Sequence, residues 1–384
     1  MSSTTTSLSF SSGHGGGSTW EEALETTLMR LGEPAPGSNL GIVYASDSLV
    51  WTLDAVIARL RQHTGIERWV GCVGMGVMGV SVTEDFRGEA EEYFAIPALS
   101  VLTMRVPRDG FRLLPSMTGD EAVLSEDTNA WLKDAYPALG LVHADPRQEG
   151  LAELLGDLAE QSGYLVGGLS SAQGAMPVIG EQIEEGVTTG VLFSADLGVA
   201  TSLSQGCTPI GPARAVTKVQ QNLLLELDGG DALSALFDDI GSDDVEHLRQ
   251  VANSLHVALP VPGSDRADYT VRNFTSIDLA KRTVGISAMP DPGDRVLFCR
   301  RDVDAAREDL RRMVGDISNR LNGPPKGGIY VSCLARGPNL FEHNEELRII
   351  REGLGDFPVA GFFANGEIAH NRLYGYTGVL TVFS

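Results

Sequence analysis

The chain has 384 residues, 42% of them hydrophobic, which is the length and apolar content of a globular protein with more than one core. A formal net charge of -22, with lysine only at Lys133, Lys218, Lys281 and Lys326, excludes a nucleic-acid or anionic-membrane partner, because both need clustered cations. No apolar run reaches the roughly 18 to 20 residues of a transmembrane helix, and the N-terminus lacks the basic and apolar regions of a secretion signal, so a cytoplasmic location is expected.

In chain order, residues 1–19 are almost entirely Ser, Thr and Gly with His14, a composition that predicts a flexible tail before a folded part beginning at Trp20. A first apolar strand is predicted over 40–45. It is followed by a helix with Leu53, Val56, Ile57 and Leu60 on one face and a stop at Gly65, then by strands over 69–74 and 99–104. The same order returns as a strand over 139–143, a helix through Leu151, Leu154, Leu155 and Leu158 ending at Gly163, and strands over 165–170 and 190–194. An acidic stretch at 238–246 and a Pro/Gly cluster at 260–263 predict loops around a short helix, with a domain boundary somewhat before them. A helix between Arg301 and Gly323 is capped by Asp302, carries the apolar stripe Val303, Ala306, Leu310, Met313, Val314, Ile317 and Leu321, and is stopped by Pro324 and Pro325.

The third repeat follows as a strand over 328–333, a helix through Leu347, Ile350 and Leu354 ending at Gly355, and strands over 359–364 and 378–383. A strand, a crossover helix and a strand make a βαβ unit, so the first two strands should be parallel and the third antiparallel. The expected fold class is α/β, two domains with mixed, partly parallel sheets flanked by helices and built from β-α-β-β units. The expected domains are 20–220 and 221–384.

Cys72, Cys207, Cys299 and Cys333 stand far apart without a C-x-x-C pair, so reduced thiols are expected, with neither a disulfide framework nor a zinc site. Glycines and small polar residues gather at three strand ends, over 71–76, 167–173 and 361–367. Carboxyl ends of parallel strands are where ligands bind in open α/β sheets, and glycine there serves either a ligand's approach to the backbone or a tight turn. The run from Gly71 to Gly79 is not followed by a helix pattern and so does not form a phosphate cradle. Cys333 precedes Arg336 by three residues; a guanidinium there would favour a reactive thiolate, while a buried inert cysteine is the plain alternative. Arg336 either clamps a ligand carboxylate or forms a surface ion pair with Glu342 or Glu345. Glu367 either binds an amino group, pairs with Arg336, or is a solvated loop acid. No H-E-x-x-H spacing exists, and Ser170 and Ser171 are not in a G-x-S-x-G elbow, so no catalytic residue, metal or cofactor is expected.

The ordered blocks from Asp268 to Asn273, Val296 to Asp302, Val331 to Arg336, Asn339 to Phe341, Pro358 to Ile368 and Leu373 to Thr377 resemble the C-terminal domain of the FIST family. Gly71-Cys72, Gly167-Gly168, residues 206–211 and Val216-Thr217 resemble its N-terminal domain. The resemblance implies a sensory, signal-transduction module that binds a small ligand such as an amino acid, with eukaryotic relatives that include an F-box adaptor. It places ligand contacts at Cys333, Arg336, Gly366 and Glu367, with Asn365, Cys72, Gly168 and Ser170 beside them. Where the family has Cys-Asn-Gly-Arg, this chain has Cys333-Leu334-Ala335-Arg336, and the small residues after Gly168 read Leu169-Ser170-Ser171-Ala172. If those positions face the ligand, the ligand of this chain differs. The expected function is a stand-alone sensor, not an enzyme. Arg336 would take a carboxylate and Glu367 an amine, and the output would pass through a signalling partner. The alternatives are an enzyme with Cys333 as nucleophile and an interaction scaffold without a small ligand.

Overall fold

The computed structural model describes residues 8–83, 86–136, 138–261 and 268–384. The chain forms two compact units. The larger takes the chain up to Ser204, then Leu310–Leu373 and Thr377–Ser384; the smaller takes Gln205–Asp309 and Tyr374–Tyr376.

The larger unit contains all three repeats. In each, two parallel strands are joined by a helix: Leu40–Ser46 with Trp69–Gly74, Ala138–Ala144 with Gly163–Leu169, and Gly327–Cys333 with Val359–Ala364. A third strand, respectively Ala98–Arg105, Thr188–Phe193 and Thr377–Phe383, runs antiparallel to the first. The crossover helices Leu53–Thr64, Leu151–Ser162 and Glu345–Leu354 end where glycine was expected, at Gly65, Gly163 and Gly355, all with positive φ. Their apolar faces are buried, each large side chain contributing about 1.5–3 kcal/mol.

Three mixed sheets result. The third repeat's sheet is completed by Gly76–Val82, antiparallel to Val359–Ala364, and by the edge strand Arg87–Phe94. The fold is therefore mixed α/β with helices flanking partly parallel sheets. The division at residues 220 and 221 does not describe its packing, because strands from both halves of the chain share one sheet.

The flexible tail is corrected for the part that is described. Ser9–Gly16 is a strand in full antiparallel register with Ala98–Arg105, and the helix Trp20–Leu31 packs on it. Its glycines are there for contact: a Cβ on Gly15 would lie 2.7 Å from Thr26 Cβ, and one on Gly13 would meet Thr27 O and Leu31. The helix is capped by Thr19, which accepts from the Glu22 amide, while Glu22 reaches back to accept from the Ser18 amide just before the cap. Residues 1–7 of the expected tail and 262–267, which hold Pro262 and Gly263 of the expected loop, lie outside the described residues.

The smaller unit is an antiparallel sheet ordered Tyr269–Arg272, Leu255–Pro260, Arg295–Arg301, Arg214–Gln220, Leu223–Leu227, Thr283–Ile286 and Phe274–Asp278. The helix Ala232–Ile240 closes its core through Leu233 and Leu236, packed with Val257, Val284 and Phe298. The chain returns to the larger unit within the helix Val303–Arg320, whose start is capped by Asp302 accepting from the Ala305 amide at 2.8 Å.

Candidate functional site

The three repeats pair their parallel strands in a matching way. Gly71, Gly167 and Gly361 sit opposite Val43, Val142 and Tyr330, and a Cβ on any of them would run into that partner's carbonyl oxygen. The next residues, Cys72, Gly168 and Phe362, are buried inside the larger unit. Tyr44 hydrogen-bonds His143 Nε2 at 3.1 Å and stacks on Phe362 at 4.6 Å. Burial drives His143 down to about 3, so it is neutral, and its Nδ1 has no partner. The Cys72 thiol is pushed up by burial and contacts the Ser170 hydroxyl; Ser170 in turn donates to Pro177 O at 3.2 Å.

The strand ends do converge, and Ser171 is what joins them. Its amide donates to Val73 O at 3.1 Å, its hydroxyl donates to Phe363 O at 2.5 Å, and that hydroxyl accepts from the Met75 amide at 2.9 Å. Beside it, the Asn365 amide donates to Leu169 O at 3.1 Å and Gly366 O accepts from the Leu169 amide at 2.9 Å. The Asn365 side chain is exposed. Glu367 pairs with Gly168 across the strands, where a Cβ on Gly168 would lie 2.8 Å from Val331 Cγ1.

Glu367 is wholly buried. One carboxyl oxygen accepts from the Thr377 amide at 3.1 Å and its hydroxyl at 2.7 Å; the other has no nitrogen or oxygen partner. The Cys333 thiol also hydrogen-bonds this carboxyl, and burial pushes Glu367 up to about 8. Arg336 is also wholly buried and pairs with Glu346 at 2.7 Å. The expected surface pair with Glu342 or Glu345 is thereby corrected: Glu345 lies 3.4 Å from Arg348 instead. Glu346 also accepts from Tyr330 at 2.8 Å and Ser332 at 2.9 Å, which satisfies it. The Arg336 guanidinium stands over the Phe341 ring at 4.9 Å, donates weakly to Ser204 at 3.4 Å, and leaves Nη1 without a partner. A charge held this way cannot reach a ligand unless Nη1 does so.

A separate cleft of about 620 Å³ is lined by Gly16, Thr26, Arg30, Glu91, Glu92, Tyr93, Phe94, Ile96, Pro338 and His343. Glu92 lies on the edge strand Arg87–Phe94 and is only 3% exposed. Its amide donates to Asn344 Oδ1 at 2.7 Å and its Oε2 accepts from the Asn344 amide at 3.1 Å, so the strand edge is closed by a loop asparagine. Oε1 has no partner. Burial, then the charges of Glu346, Glu91 and Glu345, hold this carboxyl up to about 8 against the Asn344 hydrogen bond, which favours ionisation. Arg30 donates to Tyr93 Oη at 2.8 Å and pairs with Glu89 at 2.9 Å, while His343 meets Glu91 at 2.5 Å. None of these lining residues was singled out from the sequence. The local signal, two adjacent glutamates before Tyr93 and Phe94, gives no sign that one of them is buried.

The FIST N domain family model matches residues 39–230 and the FIST C domain model residues 232–370. The chain belongs to the FIST family. FIST domains are associated with sensing and signal transduction. Among similar proteins, an uncharacterized protein, Rv0628c, of Mycobacterium tuberculosis (strain ATCC 25618 / H37Rv) is 29% identical over 375 residues, 92% of each chain. An uncharacterized protein, Mb0898c, of Mycobacterium bovis is 32% identical over 192 residues, 47% of this chain and 49% of its own. In this FIST protein the cleft draws on three stretches: Gly16, Thr26 and Arg30 precede the FIST N match, Glu91 to Ile96 lie within it, and Pro338 and His343 lie in FIST C. Among the described residues no helix is long and apolar enough to cross a membrane, and no group of three or more His, Cys, Asp or Glu is placed to hold a metal.

Proposed function

We propose that this FIST protein is a sensory module that binds a small polar ligand in the cleft beside Glu92 and passes the signal to a protein partner in the cytoplasm. The observation that carries the reading is that Glu92, one of the residues lining the cleft, has a carboxyl oxygen buried without a hydrogen-bond partner. A polar atom left in this way costs about 1–3 kcal/mol, which a ligand group would recover. Amino acids are the first compounds to try. A thermal-shift screen of the whole chain against amino acids and central metabolites tests it. A ligand at 100 times its dissociation constant adds about 2.7 kcal/mol to the folded state. A hit that disappears in Glu92→Gln supports the cleft; a broad panel without any shift would sink the reading.

A second reading puts the ligand at the strand ends, as the family resemblance implies, with Arg336 Nη1 and the open oxygen of Glu367 as its contacts. It is favoured by the fact that both atoms are buried and lack nitrogen or oxygen partners. Here the hit would persist in Glu92→Gln and disappear in Glu367→Gln.

A further inference from the structure

The four cysteines are buried and unlinked, and two of them meet. Cys207 opens the three-residue strand Cys207–Pro209, just after the chain enters the smaller unit at Gln205. That strand lies antiparallel on Arg295–Arg301, with Cys207 opposite Arg301 and Pro209 opposite Cys299. Residues two apart on one strand share a face, so Cys207 and Cys299 are diagonal neighbours on the same face of the sheet. Their thiols hydrogen-bond each other. Ala258, Tyr269, Val271 and Leu297 complete a small apolar cluster around them, and the Tyr269 hydroxyl donates to Cys207 O. Cys72 and Cys333 have other partners, the Ser170 hydroxyl and the Glu367 carboxyl. The neighbouring Cys207 thiol, and then burial, push Cys299 up, so Cys299 keeps its proton. Cys207 stands beside Thr208 and Pro209, which are exposed, and is the sulfur that a small reagent meets when this short strand opens.

We infer that Cys207 and Cys299 are an oxidisable pair, which a hydroperoxide joins in a disulfide that fixes the first strand of the smaller unit to Arg295–Arg301. In the first step the Cys207 thiolate attacks one peroxide oxygen and the O–O bond breaks. The sulfur becomes a sulfenic acid, and the other oxygen takes up the proton that Cys207 released and leaves as an alcohol, or as water from hydrogen peroxide. In the second step the Cys299 sulfur attacks the sulfenic sulfur, the S–O bond breaks, and the departing hydroxide takes the Cys299 proton and leaves as water. The sulfurs lose two electrons and the peroxide gains them. Diagonal cysteines stand somewhat farther apart than a disulfide spans, so closing the bond draws the short strand in. Its ladder has only three residue pairs, which makes it the part that moves. The bond also closes the chain from 207 to 299 into a loop, and the strand no longer opens on its own.

The experiment treats the full chain, reduced and then freed of reductant, with hydrogen peroxide at about pH 8, close to the ordinary thiol value. Intact mass and non-reducing peptide mapping read the product. Expected are the loss of two hydrogen masses, one cross-linked peptide pair that holds Cys207 and Cys299, and full reversal by dithiothreitol. Amide exchange over 207–209 and 295–301 should slow at least about tenfold on oxidation, and should not change in Cys207→Ser or Cys299→Ser. A chain with both Cys72→Ser and Cys333→Ser should still form the link. The peptide map is read on the parent chain, so the test stands even where a variant fails to fold. Oxygen adducts without a link, a link through Cys72 or Cys333, or a link that forms only in urea overturns the inference. A Cys207–Cys299 link that leaves exchange unchanged overturns the fixing of the strand.

Discussion

Replacing Glu92 by glutamine should stabilise the larger unit, and by an amount that depends on pH. Below about 4.5, the ordinary carboxylate value, Glu92 is protonated folded or unfolded and the variant should match the parent chain. Between 4.5 and about 8 the unfolded chain gives up this proton and the folded chain keeps it. Stability then falls by about 1.4 kcal/mol per pH unit on account of this one group. By pH 7 the accumulated cost is about 3 kcal/mol, and above about 8 it stays constant because both states are ionised. Glutamine keeps an oxygen to accept from the Asn344 amide and carries no proton to lose, so this slope disappears. Glu367, held at about 8 by its own burial, keeps contributing a similar slope in both proteins, so the difference between them isolates Glu92. Urea unfolding from acid to mildly alkaline pH measures it. All four tryptophans, Trp20, Trp51, Trp69 and Trp131, lie in the larger unit, so their fluorescence follows the relevant transition. Parallel stability curves for the two proteins would show that Glu92 is ionised in the folded chain and would refute the reasoning.

Other consequences can be checked on the same preparation. Arg336→Met should cost about 3–5 kcal/mol, because it leaves Glu346 charged and buried, and adding Glu346→Gln should restore much of it; independent, additive losses in a double-mutant cycle would contradict the buried pair. Removing the residues through Gly16 should lower the melting temperature markedly and expose the strand Ala98–Arg105 to hydrogen exchange, whereas deletion of a true tail would change neither. Cys72, Cys207, Cys299 and Cys333 are all buried, so iodoacetamide should label them only as fast as the chain opens. Rapid selective labelling of Cys333 in the native protein would revive the nucleophile reading.

The three repeats were legible because their helices alternate apolar and polar residues at three and four spacing and end on glycine, which is local information. The strand Ser9–Gly16 was not, since serine and glycine signal disorder by composition while here they allow a helix to lie close against the backbone. The strands of the smaller unit are short and their faces mixed, which left its sheet without an alternating pattern to read. At the site, the residues of the family blocks were found in sequence, but their burial was not: nothing local to Arg336 says that Glu346 meets it or that Tyr330 and Ser332 complete that carboxylate's contacts. The cleft was further out of reach, as its walls come from Thr26, Glu92 and His343, brought together only by the sheet that joins Gly76–Val82 to Val359–Ala364.

That shared sheet also changes what the two family segments are as pieces of protein. A cut at residue 231 would separate Val359–Ala364 from Gly76–Val82 and leave each fragment with a bare apolar strand edge, so neither half should be obtained as a well-behaved fragment. The stretch that the chain can spare is 205–309, which departs from the larger unit and returns to it. Replacing it with a short linker, and not bisecting the chain, is the way to obtain a minimal version that keeps Glu92 and His343 in one molecule.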